Sequence, residues 1–235
     1  MVVRASRGGA FDHVVRLSRE LASRGHDVAV CGPIRAIEPA PEIPVLTLPM
    51  RRSVSPLRDA AAVGRFSRIA RAFRPDFIHA HGSKGAAVAR VARLARPRTP
   101  VVHTPHEYPF DNYFAGAGQK RVYWAYERAL APLTTMALCV CDAEARYADR
   151  LGVRRVRVVH NGIRPLEADA VDPRVRELGE RGPVIAAVGE LRPAKGMVSL
   201  IEAMPALLER HPTARLAIEQ RRHRLDEAEI GRAHV

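Results

Sequence analysis

The sequence predicts an α/β chain: a doubly wound parallel sheet, followed by the first part of a second unit of the same kind. Three observations carry this. Short apolar segments alternate with amphipathic ones almost from the first residue, and strands separated by helices pair in parallel through right-handed crossovers. The apolar segments are continuous runs rather than polar–apolar alternations, as expected when helices cover both faces of a sheet. The pattern breaks off near Arg164 and restarts at Val184.

Taken in order, Val2 to Ala5 is a short apolar stub, and Ser6-Arg7-Gly8-Gly9-Ala10 is a turn. Apolar residues then recur at helical spacing, at Phe11, Val14, Val15, Leu21 and Ala22, and Gly25 ends that helix. His26 to Cys31 reads as a buried strand, and Ile43 to Leu48 as another, bounded by prolines. Leu57 to Phe73 reads as a helix carrying arginines on one side. Further strands are expected at Asp76–Ala80, Val101–Thr104, Met136–Val140 and Val156–Val159. Helices are expected at Lys84–Leu94, Gln119–Ala131 and Ala143–Leu151. The stretch from Arg164 to Pro183 is polar, with prolines at 165, 173 and 183, which predicts a domain boundary near Ile163–Pro165. A second domain then starts with a strand at Val184–Val188, a helix at Lys195–Arg210 and a strand at Ala214–Ile218.

Composition narrows the function classes. Of 235 residues, 47% are hydrophobic and 27% charged, which argues against disorder. No apolar run reaches the roughly 18 residues of a spanning helix, and the start, Met1 to Ser6, lacks the apolar stretch of a signal peptide. Cys31, Cys139 and Cys141 are too few and too oddly placed for a disulfide framework, so a reducing, cytoplasmic setting is expected. The net charge is +13, and all but three of the 38 basic residues are arginine. Coding from a GC-rich bacterial genome explains much of that excess; attraction to anionic lipid heads or phosphorylated substrates is the functional alternative. Nucleic acid is not expected as a partner, because the charge is dispersed and aromatics are only 5%.

In such a fold, ligands bind beyond the carboxyl ends of the strands, so residues that follow strands are the candidates. Gly8-Gly9-Ala10 follows the first strand and opens a helix, an arrangement that lets backbone N–H groups approach a phosphate or that forms a plain tight turn. It is not the G-x-G-x-x-G dinucleotide fingerprint. Alternation puts His79 and His81 on one face of their strand, with only His81 reaching the crevice. The next strand runs into His103-Thr104-Pro105-His106. A zinc site needs three or four converging ligands; no carboxylate or cysteine cluster accompanies these histidines, so none is expected. Cys139 and Cys141 read as buried small residues at a strand end. Asn161-Gly162 is most simply a turn. In Gly189-Glu190-Leu191-Arg192-Pro193-Ala194-Lys195-Gly196, Arg192 and Lys195 stand at a helix start, either as a diphosphate clamp or as solvated loop charges.

Together, Gly8-Gly9-Ala10, LASRGHDVAVCGP, HAHGSKGA, HTPHEYPF, VHNGI and GELRPAKGMVSLIEAM resemble, in order and spacing, the family-four glycosyltransferases of GT-B fold, mostly bacterial enzymes of cell-surface polysaccharide assembly. The resemblance covers residues 1 to about 218. It implies a Rossmann-like acceptor-side domain over 1–164 and an incomplete sugar-nucleotide-binding domain over 165–218. It also implies transfer of a sugar from a nucleotide-diphosphate donor to a glycan or lipid-linked acceptor, with retention and without a metal or other cofactor. Carried over, His106 lies near the transferred sugar, Gly8 and Gly9 near the donor phosphates, and Arg192 and Lys195 at the diphosphate. His81, Glu107 and Asn161 fall on the acceptor and sugar side. Glu190 stands where the family has arginine, and Cys141 where it has serine.

Residues 219–235 follow no family pattern, and the last six back-translate to a common sequencing adaptor. A truncated reading frame, inactive by itself, is therefore expected. Two other readings stay open. A sugar-nucleotide 2-epimerase shares the architecture, although the order of motifs favours transfer. The arginine-bearing segment Arg58–Arg74 suggests a basic module in peripheral contact with an anionic membrane.

Overall fold

The structure is a computed structural model that describes residues 1–5, 8–34, 42–51, 53–111, 115–162, 173–189 and 195–219. Two compact units, Met1–Gly162 and Ile163–Val235, make up the chain. Glu190, Arg192, the segment 163–172 and residues 220–235 lie outside the described residues.

In the first unit, β1 (Val2–Val3), β2 (Val30–Gly32), β3 (Val45–Thr47), β4 (Ile78–His81), β5 (Val101–Thr104), β6 (Met136–Cys139) and β7 (Val156–Val158) alternate with helices. These are α1 (Gly9–Ser23), α2 (Pro56–Phe73), α3 (Gly82–Arg93), α4 (Ala117–Leu130) and α5 (Asp142–Leu151). The described strands pair in parallel in the order β3-β2-β1-β4-β5-β6-β7. The doubly wound reading therefore holds. The run His26–Cys31 contributes less strand than its composition suggests, because His26 and Asp27 are exposed and only Val30 onward joins the ladder. Helix starts follow local chemistry. Pro56, with its fixed φ, opens α2, and the Ser55 N–H donates to Asp59 Oδ2 at 3.1 Å, which gives this N-cap donor a partner.

Alternation along β1 sends Val2 and Val3 to opposite faces. Val2 joins Ala62, Phe66 and Ala70 of α2 and Ala86 and Ala89 of α3; Val3 joins Val14 of α1 with Val30, Ile34 and Ile43. A third cluster gathers Tyr108, Phe110, Ala137, Cys139, Ala148 and Leu151 under α4 and α5. Helix α3 lies unusually close to the sheet. A Cβ on Gly85 would stand 2.9 Å from the Val2 carbonyl oxygen, so only glycine lets the helix seat there and fix the end of β4.

One arginine departs from the compositional explanation. Arg90, on α3, is 1% exposed and pairs with Glu127 of α4 at 2.6 Å. Its Nη2 also donates to His103 Nδ1 on β5 at 2.5 Å. A guanidinium can only donate, so Nδ1 accepts and His103 carries its proton on Nε2. Burial first, and the Arg90 charge second, hold its pKa well below the ordinary value.

In the second unit, α6 (Pro173–Glu180) precedes β8 (Val184–Val188), α7 (Met197–Arg210) and β9 (Arg215–Glu219). Strands β8 and β9 pair in parallel from Val184–Arg215 to Val188–Glu219. The helix α6 falls in the stretch read as an irregular polar link, where the sequence offered no apolar stripe: its residues are at most half-buried. Helix α7 begins at Met197, leaving Lys195 in the turn before it, and β9 extends one residue into the segment read as foreign.

Candidate functional site

The strand order reverses direction between β1 and β4. In an open α/β sheet such a reversal opens a crevice at the carboxyl ends of the strands. Register places Val3 beside His81, and His81 beside Thr104. The segments that leave β1, β4 and β5 therefore start at one level.

Leaving β1, the chain turns at Gly8, whose φ of 83° and ψ of −179° suit a residue without a Cβ. Helix α1 starts at Gly9. The positions where a Cβ would stand on Gly8 and Gly9 have nothing within 4 Å, so the backbone there is open to a ligand. The first N–H groups of a helix have no partner within it, which favours anions. One turn further along α1, His13 enters the crevice.

His81 ends β4, fully buried, and His106 follows β5. His81 Nδ1 and His106 Nε2 are 3.1 Å apart, and their rings stack with centroids 5.3 Å apart. The His13 ring lies 4.9 Å from that of His106 and 5.6 Å from that of His81. The Asn161 side chain stands beside His13 and favours its charged form, against the larger effect of burial. Behind the group, the His79 ring lies 4.1 Å from His81, and its Nε2 is 2.9 Å from Thr104 Oγ1. Burial, then the neighbouring His13, pushes His106 down to about 4. Burial also lowers His13, and it holds His81 well below the ordinary value. At neutral pH these are uncharged imidazoles, each offering one donor and one acceptor.

The loop bearing His106 is strained. His106 (φ 53°) and Glu107 (φ 96°) both occupy left-handed backbone, which costs on the order of 1–3 kcal/mol per residue. The buried carboxylate of Glu144, on α5, offsets this. Its Oε1 accepts the Glu107 N–H at 2.7 Å, and its Oε2 accepts the Val140 N–H at 3.0 Å. Beyond the strained pair, Tyr108 is 1% exposed and stacks on Phe110 with centroids 4.9 Å apart.

Of the residues expected at the site, Gly8, Gly9, His81, His106 and Asn161 come together at this crevice. Glu107 is beside it with its side chain exposed. Lys195 is exposed in the second unit, ahead of α7, and Arg192 lies outside the described residues. Sequence reasoning missed His13, although its place four residues after Gly9 on a helix puts it one turn down the same face. It also missed Glu144, whose role depends on joining the nearby Val140 N–H to the Glu107 N–H, 37 residues away, and leaves no sequence pattern. Cys141, read as buried, is half-buried at the start of α5, and the cysteines of the chain are free.

A parallel doubly wound sheet with a polar crevice at its switch point defines an α/β ligand-binding class. Within it, this chain belongs to Glycosyltransferase Family 4, whose model matches residues 7–165. Among curated proteins, it is 25% identical over 219 residues to a phosphatidyl-myo-inositol mannosyltransferase of Mycobacterium tuberculosis, covering 90% of the chain and 56% of that protein. It is 26% identical over 172 residues to the UDP-Gal:alpha-D-GlcNAc-diphosphoundecaprenol alpha-1,3-galactosyltransferase of Escherichia coli, covering 67% and 43%. The chain spans about half the length of these relatives. Among solved structures, the sucrose-phosphate synthase of Thermosynechococcus elongatus superimposes with a TM-score of 0.70 at 20% identity, over 92% of the chain and 58% of that one. The fold is that of the GT-B glycosyltransferases.

Proposed function

We propose that this chain carries the acceptor-side half of a retaining hexosyltransferase. It would move a sugar from a nucleotide-diphosphate donor to a glycan or lipid-linked acceptor, in cell-surface polysaccharide assembly on the cytoplasmic side of the membrane. The observation that carries the reading is the convergence of neutral His106 and His81 beside the open glycine start of α1, at the switch point of a family-four sheet. In the reaction, the bond between the sugar anomeric carbon and the diphosphate oxygen breaks, and the nucleoside diphosphate leaves with the electron pair. The acceptor hydroxyl oxygen bonds to that carbon from the same face, and its proton passes to the departing phosphate oxygen. Negative charge grows on the leaving group; the family resemblance assigns Lys195 and Arg192 to stabilise it as fixed cations, and this reading calls for no metal cofactor. His106 acts without gaining charge. An imidazole with its pKa near 4 hydrogen-bonds and orients a sugar hydroxyl rather than donating a proton at neutral pH. Glu107 and Asn161 flank the acceptor side.

The test is a transfer assay with nucleotide-diphosphate sugars on a chain extended to the length of its relatives. His106→Ala and Lys195→Ala are each expected to lower turnover about 10²–10³-fold, the usual effect of losing one preorganised contact. Unchanged kinetics in both variants would reject these roles. The present chain, with two described strands in its second unit, is expected to turn over no donor by itself. The 2-epimerase reading loses ground to the family match and to the transferase relatives. Exposed Arg58, Arg65, Arg68, Arg71 and Arg74 on and just after α2, with Leu57 88% and Phe73 43% exposed, support peripheral contact with anionic lipid. Pelleting with phosphatidylserine vesicles but not neutral ones is the expected result.

A further inference from the structure

We propose that His13, His81 and His106 form a binding site for a borderline transition-metal dication of the zinc class, held between α1, β4 and the loop after β5. Each residue offers one ring nitrogen, and these three atoms lie within 4.8 Å of one another. Tetrahedral zinc with Zn–N bonds of about 2.0–2.1 Å sets its ligand nitrogens about 3.3 Å apart. The His81–His106 pair, at 3.1 Å, already provides one edge of that tetrahedron. The remaining nitrogen has to close by no more than about 1.5 Å to complete a face. A helix, a strand and a loop supply one ligand each, so the site is set by the fold rather than by one segment. Asn161 stands beside His13, in the position of an outer partner that orients a ligating imidazole.

The donor set fixes the class of ion. Three neutral nitrogens without a carboxylate suit Zn²⁺, Co²⁺, Ni²⁺ or Cu²⁺, and disfavour Mg²⁺ and Ca²⁺, which want oxygen. His81 is buried, whereas His13 and His106 are half-buried, so the ion enters from the crevice and its fourth position faces that side. Three protein ligands and one open position describe a site that exchanges with solvent rather than a closed structural one. Binding uses the His106 lone pair, so a loaded site withdraws that imidazole from any sugar. The binding claim itself does not depend on the transfer reading.

The experiment is a Co²⁺ titration of the 235-residue chain in chelator-treated buffer, read by visible absorption and followed by displacement with Zn²⁺. We expect a one-to-one visible band of four-coordinate Co²⁺ that Zn²⁺ abolishes and Mg²⁺ does not. His13→Ala and His106→Ala are each expected to weaken binding well over 10-fold, and Asn161→Ala about 10–100-fold. His160→Ala is the control: His160 is exposed, bonds the Val140 carbonyl and should leave the titration unchanged. Circular dichroism of each variant separates loss of the site from loss of the fold, and His106→Asn provides a smaller change if His106→Ala misfolds. Absence of a one-to-one band, or a band that survives the folded His13→Ala, His106→Ala double variant, overturns the proposal and assigns binding to surface histidines.

Discussion

Glu144 shows how a single carboxylate can hold a site it does not enter. It spans two backbone N–H groups, those of Glu107 and Val140, and so ties the loop after β5 to the end of β6. Without it, two N–H groups lose their partner and two left-handed residues lose their restraint. Glu144→Ala is therefore expected to lower stability by about 1–3 kcal/mol, read as a lower urea midpoint. Glu144→Gln keeps one oxygen acceptor and should lose less. Equal midpoints for Glu144→Ala and the parent chain would show that the loop is held by the Tyr108–Phe110 stack alone.

At the level of elements, α3, α4 and β5 meet through Arg90, Glu127 and His103. Breaking a buried pair strands a charge, so Arg90→Ala or Glu127→Ala alone is expected to cost about 3–5 kcal/mol. Replacing both with apolar residues of similar volume (Arg90→Met with Glu127→Leu) should cost far less, and a double variant as unstable as either single one would refute the charge argument. The same contact makes the fold sensitive to acid. His103 stays neutral in the native state and has a pKa near 6.5 when unfolded. Below that pH the unfolded chain takes up a proton that the native chain refuses. The stabilisation is complete above pH 6.5 and is lost as pH falls towards the depressed native value. Each such group adds a slope of about 1.4 kcal/mol per pH unit. His79, lowered by burial to about 3, adds in the same sense. Urea midpoints should fall between pH 6.5 and 5, above the range where carboxylates titrate; a flat profile there would show that these histidines are not held neutral.

For the whole molecule, the two units differ in how much apolar surface they cover. The first has helices on both faces of its sheet. The second pairs β8 only with β9 among the described residues, and Val188, Val198, Ile201 and Leu208 are exposed. Two strands alone are marginal in water. Limited proteolysis is expected to cut after Gly162 first and to leave a stable product close to Met1–Gly162. Equal survival of both units would show that the second is as well packed as the first.

The alternation of apolar and amphipathic segments was sufficient for the parallel fold and for most of its elements, including β5 and β8 at their exact ends, because period and burial are local properties of a chain. The same logic placed Gly9, His81 and His106 after strands, where a doubly wound sheet holds its ligands. It overextended β2, since an apolar run becomes a strand only where a neighbour pairs with it, and it missed α6, which buries no stripe. Tertiary structure alone decided that His13 and Asn161 join His81 and His106, that Arg90 is a core residue rather than one of many surface arginines, and that Glu144 braces the loop. Each of these depends on groups brought together from distant parts of the chain. Such contacts are set by the order of strands and the seating of helices on them, which no local pattern of residues encodes.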